Sequence, residues 1–148
     1  MLPHPSRLTP QASFRLFFDR QKVLSKVSRA ERRVLSRFGA YVRQDAKQRI
    51  RRRKRPSQPE ESPTNQTGLL KRHIYFLFDP DRRSVVIGPT RLSTGSDAPA
   101  TLEYGGQAVV ETSDGQLVRV AIEERPYMGP AFRQELPKVP AMWRDSVR

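Results

Sequence analysis

Five consecutive cations are the residues whose type and spacing point most directly to chemistry: Arg51, Arg52, Arg53, Lys54 and Arg55. Guanidinium and ammonium groups bind the oxygens of phosphates and carboxylates, so the chemistry indicated is anion binding. Aromatic residues do not alternate with these cations, so stacking on nucleic-acid bases is not indicated. Three interpretations stay open: a nuclear-import-like patch, a contact with nucleic-acid phosphates that has no sequence preference, or the solvated base of a loop.

Patterns typical of catalysis and metal binding are missing from the sequence. It contains no Gly-Lys-Ser/Thr phosphate loop, no Rossmann glycine pattern and no Gly-x-Ser-x-Gly elbow. The chain has no cysteine, and its two histidines, His4 and His73, lie far apart without a carboxylate cluster beside them. His73 opens an apolar stretch and is interpreted as a strand-end residue. We therefore predict a protein that is not an enzyme and that uses no metal or cofactor.

Positive charge is concentrated in the first third of the 148 residues. Residues 1–55 hold 17 lysines and arginines against three carboxylates, whereas the remainder is close to neutral, and the whole chain carries +13. Such a field favours contact with nucleic acid or with an acidic protein surface. No run of about 18 apolar residues exists, and residues 1–5 lack the apolar core of a signal peptide. We expect a protein made in the cytoplasm and not inserted in a membrane.

A long amphipathic helix, predicted from Asp19 to about Arg53, is the element that positions the basic run. Apolar and small residues recur there every three or four positions, and cations occupy the opposite face. Asp19 is a good N-cap residue, and Pro56 should stop the helix. The capping-box pattern from Ser28 to Glu31 allows a break and restart, but the apolar period continues through Ser28, which favours one unbroken helix.

Short strands account for much of the remaining chain. They are predicted at residues 13–18, 73–78, 84–88, 107–111 and 117–123. Turn residues at 79–83 and 113–115 predict two antiparallel hairpins. The first hairpin is almost wholly apolar, so we expect it in the middle of a sheet with the long helix covering it. The second alternates apolar and polar residues, which indicates one wet face and a more peripheral position.

The predicted architecture is α+β: a mainly antiparallel sheet of four to five strands packed on one long N-terminal helix, with a short C-terminal helix beside it. Residues 1–12 are expected to be a flexible arm and residues 13–148 a single domain. The Pro-rich stretch 51–67 is predicted to be an exposed basic loop, and residues 89–100 a polar loop. Trp143 is interpreted equally as part of the core or as a subunit contact.

Several short motifs, taken in order, resemble those of one protein family. They are Gly39-Ala40-Tyr41-Val42-Arg43-Gln44-Asp45-Ala46-Lys47, Thr67-Gly68-Leu69-Leu70-Lys71-Arg72-His73-Ile74, Val85-Val86-Ile87-Gly88, Leu102-Glu103-Tyr104-Gly105-Gly106 and Arg125-Pro126-Tyr127-Met128-Gly129-Pro130-Ala131-Phe132. Their order and spacing resemble the small tail-component proteins of long-tailed, lambda-like bacteriophages and prophages, that is, tail-completion or head–tail joining (neck) proteins. Two departures are visible: Gly106 stands where the family usually has Thr, and the loop at 53–65 is longer and more basic than usual.

The resemblance implies a structural virion protein that forms an oligomeric ring, expected to be a hexamer, between the head connector and the tail tube or tail terminator. The motif residues would hold the fold: Gly68, Leu70, Glu103, Gly105, Arg125, Pro126 and Pro130. Glu103 is expected to form an ion pair with Arg125, and Phe17 and Trp143 are expected at subunit contacts. The basic loop would face packaged DNA or an acidic partner ring. The alternative is a free basic protein that contacts nucleic-acid phosphates non-specifically.

Overall fold

The computed structural model describes residues 19–64, 68–90 and 98–146, and its first element is helix α1 (Arg20–Arg49). Asp19 is the N-cap, as predicted, and its Oδ1 accepts the N–H of Lys22 at 3.2 Å. The helix passes through Ser28 without a break. Glu31 does not cap a second helix; its carboxylate accepts from Arg83 Nε at 2.9 and 3.1 Å. This ion pair fixes the tip of the first hairpin to the helix.

Helix α1 ends earlier than predicted. Its last residue is Arg49, and Ile50 adopts an extended backbone with ψ 103°. Ile50 is completely buried in the core, and Arg51 then pairs with Thr64 in a parallel β-bridge. Burial of Ile50 therefore outweighs the helical preference of the arginines that follow. The predicted end near Arg53 was wrong, and the five cations lie in a loop.

Within the described part of the chain, only the C-terminal two thirds of helix α1 is covered by other elements. Its buried stripe consists of residues spaced by four: Ala30, Val34, Phe38, Val42, Ala46 and Ile50. The backbone comes close to the first hairpin at Gly39, where an added Cβ would lie 2.8 Å from Val85 Cγ2. Residues 20–29 are exposed at every position.

The first hairpin follows the short helix α2 (Leu69–Arg72) and consists of β1 (Ile74–Asp79) and β2 (Ser84–Pro89). The strands pair antiparallel from Ile74↔Pro89 to Asp79↔Ser84, as the turn residues predicted. One face packs on helix α1. The opposite face stays exposed and carries Tyr75, Leu77 and Val86. The prediction that the long helix covers this hairpin is thus confirmed for one of its two faces.

The second hairpin comes after helix α3 (Ala98–Tyr104) and consists of β3 (Gly106–Glu111) and β4 (Leu117–Ile122). Its register runs from Gly106↔Ile122 to Glu111↔Leu117. Within the described residues the two hairpins are separate two-stranded sheets, so the predicted sheet of four to five strands was wrong. Helix α3, followed by Gly105 and Gly106 at φ +72° and +139°, redirects the chain before β3 begins. The turn residues predicted the pairing of the two strands within each hairpin, whereas no sequence feature indicated whether the hairpins pair with each other.

The chain ends in helix α4 (Met128–Glu135), a 3₁₀ turn (Leu136–Lys138) and helix α5 (Val139–Arg144), which lie against helix α1 as predicted. The Phe38 and Phe132 rings meet edge to face with centroids 5.6 Å apart. The buried core comprises Phe38, Val42, Ala46, Ile50, Leu70, Ile74, Tyr127 and Ala131. The predicted arm at 1–12, the predicted strand at 13–18 and Phe17 lie outside the described residues.

Among the helices in the described ranges, none has the length and apolar character needed to cross a bilayer.

Candidate functional site

Two of the sequence motifs meet at the carboxylate of Glu103. Its oxygens accept the backbone N–H groups of Tyr127 and Met128, both at 2.9 Å, and of Gly129 at 2.7 Å. These donors are the start of helix α4, where N–H groups have no partner inside the helix and a negative charge suits the helix dipole. A single side chain therefore joins the end of helix α3 to the start of helix α4.

The expected ion pair between Glu103 and Arg125 was wrong. Arg125 turns the other way, donating from Nε to the Ser57 carbonyl at 3.2 Å and from Nη1 to the Glu123 carbonyl at 3.4 Å. Its backbone N–H donates to the Leu102 carbonyl at 2.6 Å. The physical reason is that three convergent N–H groups already satisfy the carboxylate. Arg125 instead anchors the loop that follows helix α1.

Most of the remaining motif residues hold the backbone in a particular conformation or pack in the core. Gly68 and Gly105 adopt φ +84° and +72°, a conformation that favours glycine, and a Cβ on Gly105 would lie 3.3 Å from both Glu124 N and Ile122 O. Leu70 is buried in the core. Pro130 lies in the first turn of helix α4, where a missing N–H costs no intrahelical bond. Pro126 lies directly before Tyr127 and is half-buried.

Tyr127 is completely buried, and among the described residues its hydroxyl has no hydrogen-bond partner. Burial, and then the nearby charge of Glu103, raise the pKa of Tyr127 above the ordinary range. The ring therefore packs as part of the core with its proton retained. In the sequence, Tyr127 stands out only as part of a motif. Its burial was not predicted, because an aromatic residue after Arg-Pro does not indicate whether its ring is buried.

The basic loop exposes its cations in its first residues and is attached to the rest of the protein by its later residues. Residues 51–55 are all exposed, as predicted. Beyond them the loop is not exposed throughout, because Ser57 and Pro63 are buried and the Glu60 N–H donates to the Glu124 carbonyl at 3.0 Å. The anchored part holds the cations next to the base of the second hairpin.

A polar cleft of about 480 Å³ lies between the end of helix α1 and this loop. Its lining includes Arg49, Arg51 and Arg53 together with Asp45 and Glu61. Asp45 pairs with Arg49 at 2.9 Å, and Glu61 accepts the Gln58 N–H at 3.3 Å. Within the described chain, Arg51 and Arg53 have no carboxylate partner, so this cleft has the charge to receive a phosphate or a carboxylate.

The second hairpin presents an apolar face that sequence reasoning did not identify as uncovered. The register places five apolar side chains together on it: Ala108, Val110, Val118, Val120 and Ile122. Val110, Val118 and Val120 remain 44%, 41% and 43% exposed. The alternation in the sequence indicated which residues share a face, but not whether another element covers it.

The remaining predicted positions lie apart from these features. Trp143, on helix α5, is partly exposed and lies outside the buried core, so its role as a subunit contact stays a prediction. His73 follows the last residue of helix α2, and its Nδ1 lies 2.8 Å from the Leu69 carbonyl. In the described ranges no group of three or more His, Cys, Asp or Glu side chains is placed to hold a metal ion.

Comparisons with known proteins give no relative: no family model, curated protein or solved structure matches this chain. A function for the chain therefore depends on its motifs and on the geometry described above.

Proposed function

We propose that this chain is a structural, non-enzymatic virion subunit of a long-tailed bacteriophage or prophage, forming a ring that joins the head connector to the tail. The observation that carries the proposal is the contact between two motifs. Glu103 belongs to the Leu-Glu-Tyr-Gly motif, and its three donors belong to the Arg-Pro-Tyr-Met-Gly-Pro motif. Chance similarity of short sequences gives no reason for the two to touch, whereas a shared fold does.

Uncovered apolar surface also supports an assembled subunit. The outer face of the first hairpin and one face of the second are both apolar and exposed, and Leu77 is 71% exposed. Contiguous apolar patches of this kind mark interaction sites in soluble proteins. A two-stranded hairpin without cover is also only marginally stable in water. Neighbouring copies in a ring supply the missing cover.

The basic loop fits the same location. A ring at the head–tail junction surrounds the path of the packaged DNA and contacts rings above and below it. Residues 51–55 are exposed cations on a loop fixed at Ser57 and Pro63. In the ring they face either DNA phosphates or the carboxylates of a partner ring, and both contacts weaken as salt rises.

The proposal is tested with the purified full chain, alone and mixed with the connector and the tail-tube or terminator proteins encoded beside it. Sedimentation velocity and negative-stain electron microscopy report mass and shape. We expect a ring of one size, with six copies, at least when a partner is present. A chain that stays monomeric and binds none of these proteins contradicts the proposal.

A second candidate is a free protein that binds nucleic-acid phosphates without sequence preference. Arg51 and Arg53, which line the polar cleft without a carboxylate partner in the described residues, favour it. Each phosphate contact adds about 0.9 to the slope of log affinity against log salt. Combined Arg51→Ser, Arg52→Ser and Arg53→Ser substitutions should lower that slope for duplex DNA by about 2 to 3.

Three exposed cations outside the loop, changed as Arg82→Ser, Arg119→Ser and Arg144→Ser, make a control of equal charge. This control should leave the slope nearly unchanged if the loop is the contact. Tight, sequence-selective binding by a monomer favours the second candidate over the ring.

A further inference from the structure

The second hairpin, which carries the exposed apolar face, is acidic. Residues 106–124 contain four exposed carboxylates, at Glu111, Asp114, Glu123 and Glu124, and one exposed cation, Arg119. The segment thus has a net charge of −3. By register Glu111 and Arg119 lie on the face opposite the valines, whereas Asp114 in the turn and Glu124 just beyond β4 lie at the two ends of the apolar face. Strands of six residues give this face a length of about 20 Å.

The opposite combination occurs at the start of helix α1. Residues 20–29 carry the cations Arg20, Lys22, Lys26 and Arg29 and no carboxylate, and Asp19, directly before them, pairs with Lys22 at 3.3 Å. The same ten positions hold Val23, Leu24 and Val27, which continue the apolar stripe of the helix beyond the part covered by the core. At 1.5 Å per residue this exposed segment, named the helix arm, is about 15 Å long.

The helix arm and the hairpin face therefore match in three respects. Both carry exposed apolar residues, they are of similar length, and their segments have opposite net charge, +3 for residues 19–29 and −3 for residues 106–124. Opposite charges around an apolar centre steer two surfaces together and fix their register. The outer face of the first hairpin, around Leu77, also has exposed cations at its ends, namely Lys71, Arg72, Arg82 and Arg83. Of these, Arg82 and Arg83 already pair with Asp79 and Glu31.

We propose that the apolar face of the β3–β4 hairpin of one copy docks on the helix arm of a second copy. The contact joins two different surfaces, so a copy whose hairpin is docked still has its arm available for a further copy. Repetition of such a contact produces a closed ring or an open chain. The inference rests on the proposed function and specifies which surfaces hold the ring together.

Disulfide trapping between two single-cysteine variants tests this contact. The natural sequence has no cysteine, so each introduced thiol is the only one in its chain. Leu24→Cys lies on the arm and Val118→Cys on the hairpin face, and both positions are exposed enough to accept the change. The two full-length variants, one carrying a mass tag, are mixed with oxidised glutathione and separated without reductant.

We expect a mixed disulfide at least tenfold more abundant than the disulfide formed by either variant alone. Leu77→Cys is the matched control, because Leu77 is also an exposed apolar residue. Equal trapping of Val118→Cys by Leu77→Cys, or by a second Val118→Cys chain, overturns the proposal. Absence of any mixed disulfide also overturns it, provided the helical circular dichroism of both variants matches that of the natural chain.

A charge exchange provides a second readout. Lys22→Glu with Lys26→Glu on the arm variant should reduce the mixed disulfide at least fivefold, and 0.5 M salt should also reduce it. Asp114→Lys with Glu124→Lys on the hairpin variant should restore it, because these carboxylates lie at the two ends of the apolar face. Failure of this restoration overturns the charge-matched contact. If the two cysteine variants form a uniform ring but no disulfide between positions 24 and 118, this interface alone is refuted. A chain that forms no ring and binds no connector refutes the proposed function.

Discussion

The carboxylate of Glu103 accepts three successive backbone N–H groups at the start of helix α4. Glu103→Ala leaves those donors without their acceptor in a partly buried position, so we expect it to lower the free energy of unfolding by about 3 kcal/mol. Glu103→Gln keeps one oxygen acceptor but no charge, and we expect a loss of about 1 kcal/mol. Urea unfolding followed by circular dichroism measures both.

Glu111→Ala is the control for these substitutions. Glu111 is exposed on β3 and has the same side chain, so its loss should change stability by less than about 0.5 kcal/mol. If Glu103→Ala costs no more than this control, the contact between the two motifs does not hold the fold.

Tyr127 makes stability depend on alkaline pH. Its raised pKa means that the folded chain keeps the phenolic proton to higher pH than the unfolded chain, in which tyrosine titrates near 10. Its contribution is therefore complete below about pH 10 and is lost as pH rises through the folded-state pKa. Tyr127→Phe removes an unpartnered hydroxyl, so it should be neutral or stabilising by about 1 kcal/mol at pH 7. Its stability should also fall less between pH 8 and pH 11.

The matched control is Tyr104→Phe, since Tyr104 is 80% exposed. Unfolding by urea at several pH values should show the natural alkaline decline in this variant. An equal decline in Tyr127→Phe and in the natural chain contradicts the assignment of that decline to Tyr127.

On the scale of the elements, helix α1 and the first hairpin come close together at Gly39. An added Cβ there would lie 2.8 Å from Val85 Cγ2 and 3.0 Å from the Phe76 ring. Alanine is the better helix former by about 1 kcal/mol, but overpacking typically costs about 1 to 3 kcal/mol. We expect Gly39→Ala to destabilise the protein by up to about 2 kcal/mol in thermal or urea unfolding.

Gly88→Ala provides the comparison, because no atom of the described residues, apart from its chain neighbours, lies within 4 Å of a Cβ placed there on β2. That substitution should change stability by less than about 0.5 kcal/mol. A stabilising Gly39→Ala would mean that helix and hairpin are not packed at this distance.

Elements with local signals were predictable from the sequence, and long-range partners were not. Asp19 and the apolar period were sufficient to predict an unbroken helix α1, and the turn residues predicted both hairpins. The observed end of helix α1 differs from the predicted one, because the burial of Ile50 that ends the helix depends on tertiary packing. The partners of Glu103 were missed because backbone N–H groups have no residue signature, whereas an arginine nearby in a motif suggests an ion pair.

On the scale of the whole molecule, charge and uncovered apolar surface are both distributed unevenly. The basic loop at 51–55 and the basic helix arm belong to the first third of the chain, and the acidic hairpin belongs to the last third. A chain with two unlike, charge-matched surfaces suits head-to-tail assembly. These features, together with the meeting of the motifs at Glu103, underlie the proposal of a ring at the head–tail junction.

Immunogold labelling of assembled particles tests that proposal most directly. Particles are produced from a host that carries the gene with an epitope tag at its C-terminus, and the label is located by negative-stain electron microscopy. We predict gold at the junction between head and tail in most labelled particles. Intact particles that carry no label there, from cells that contain the tagged protein, would contradict the account.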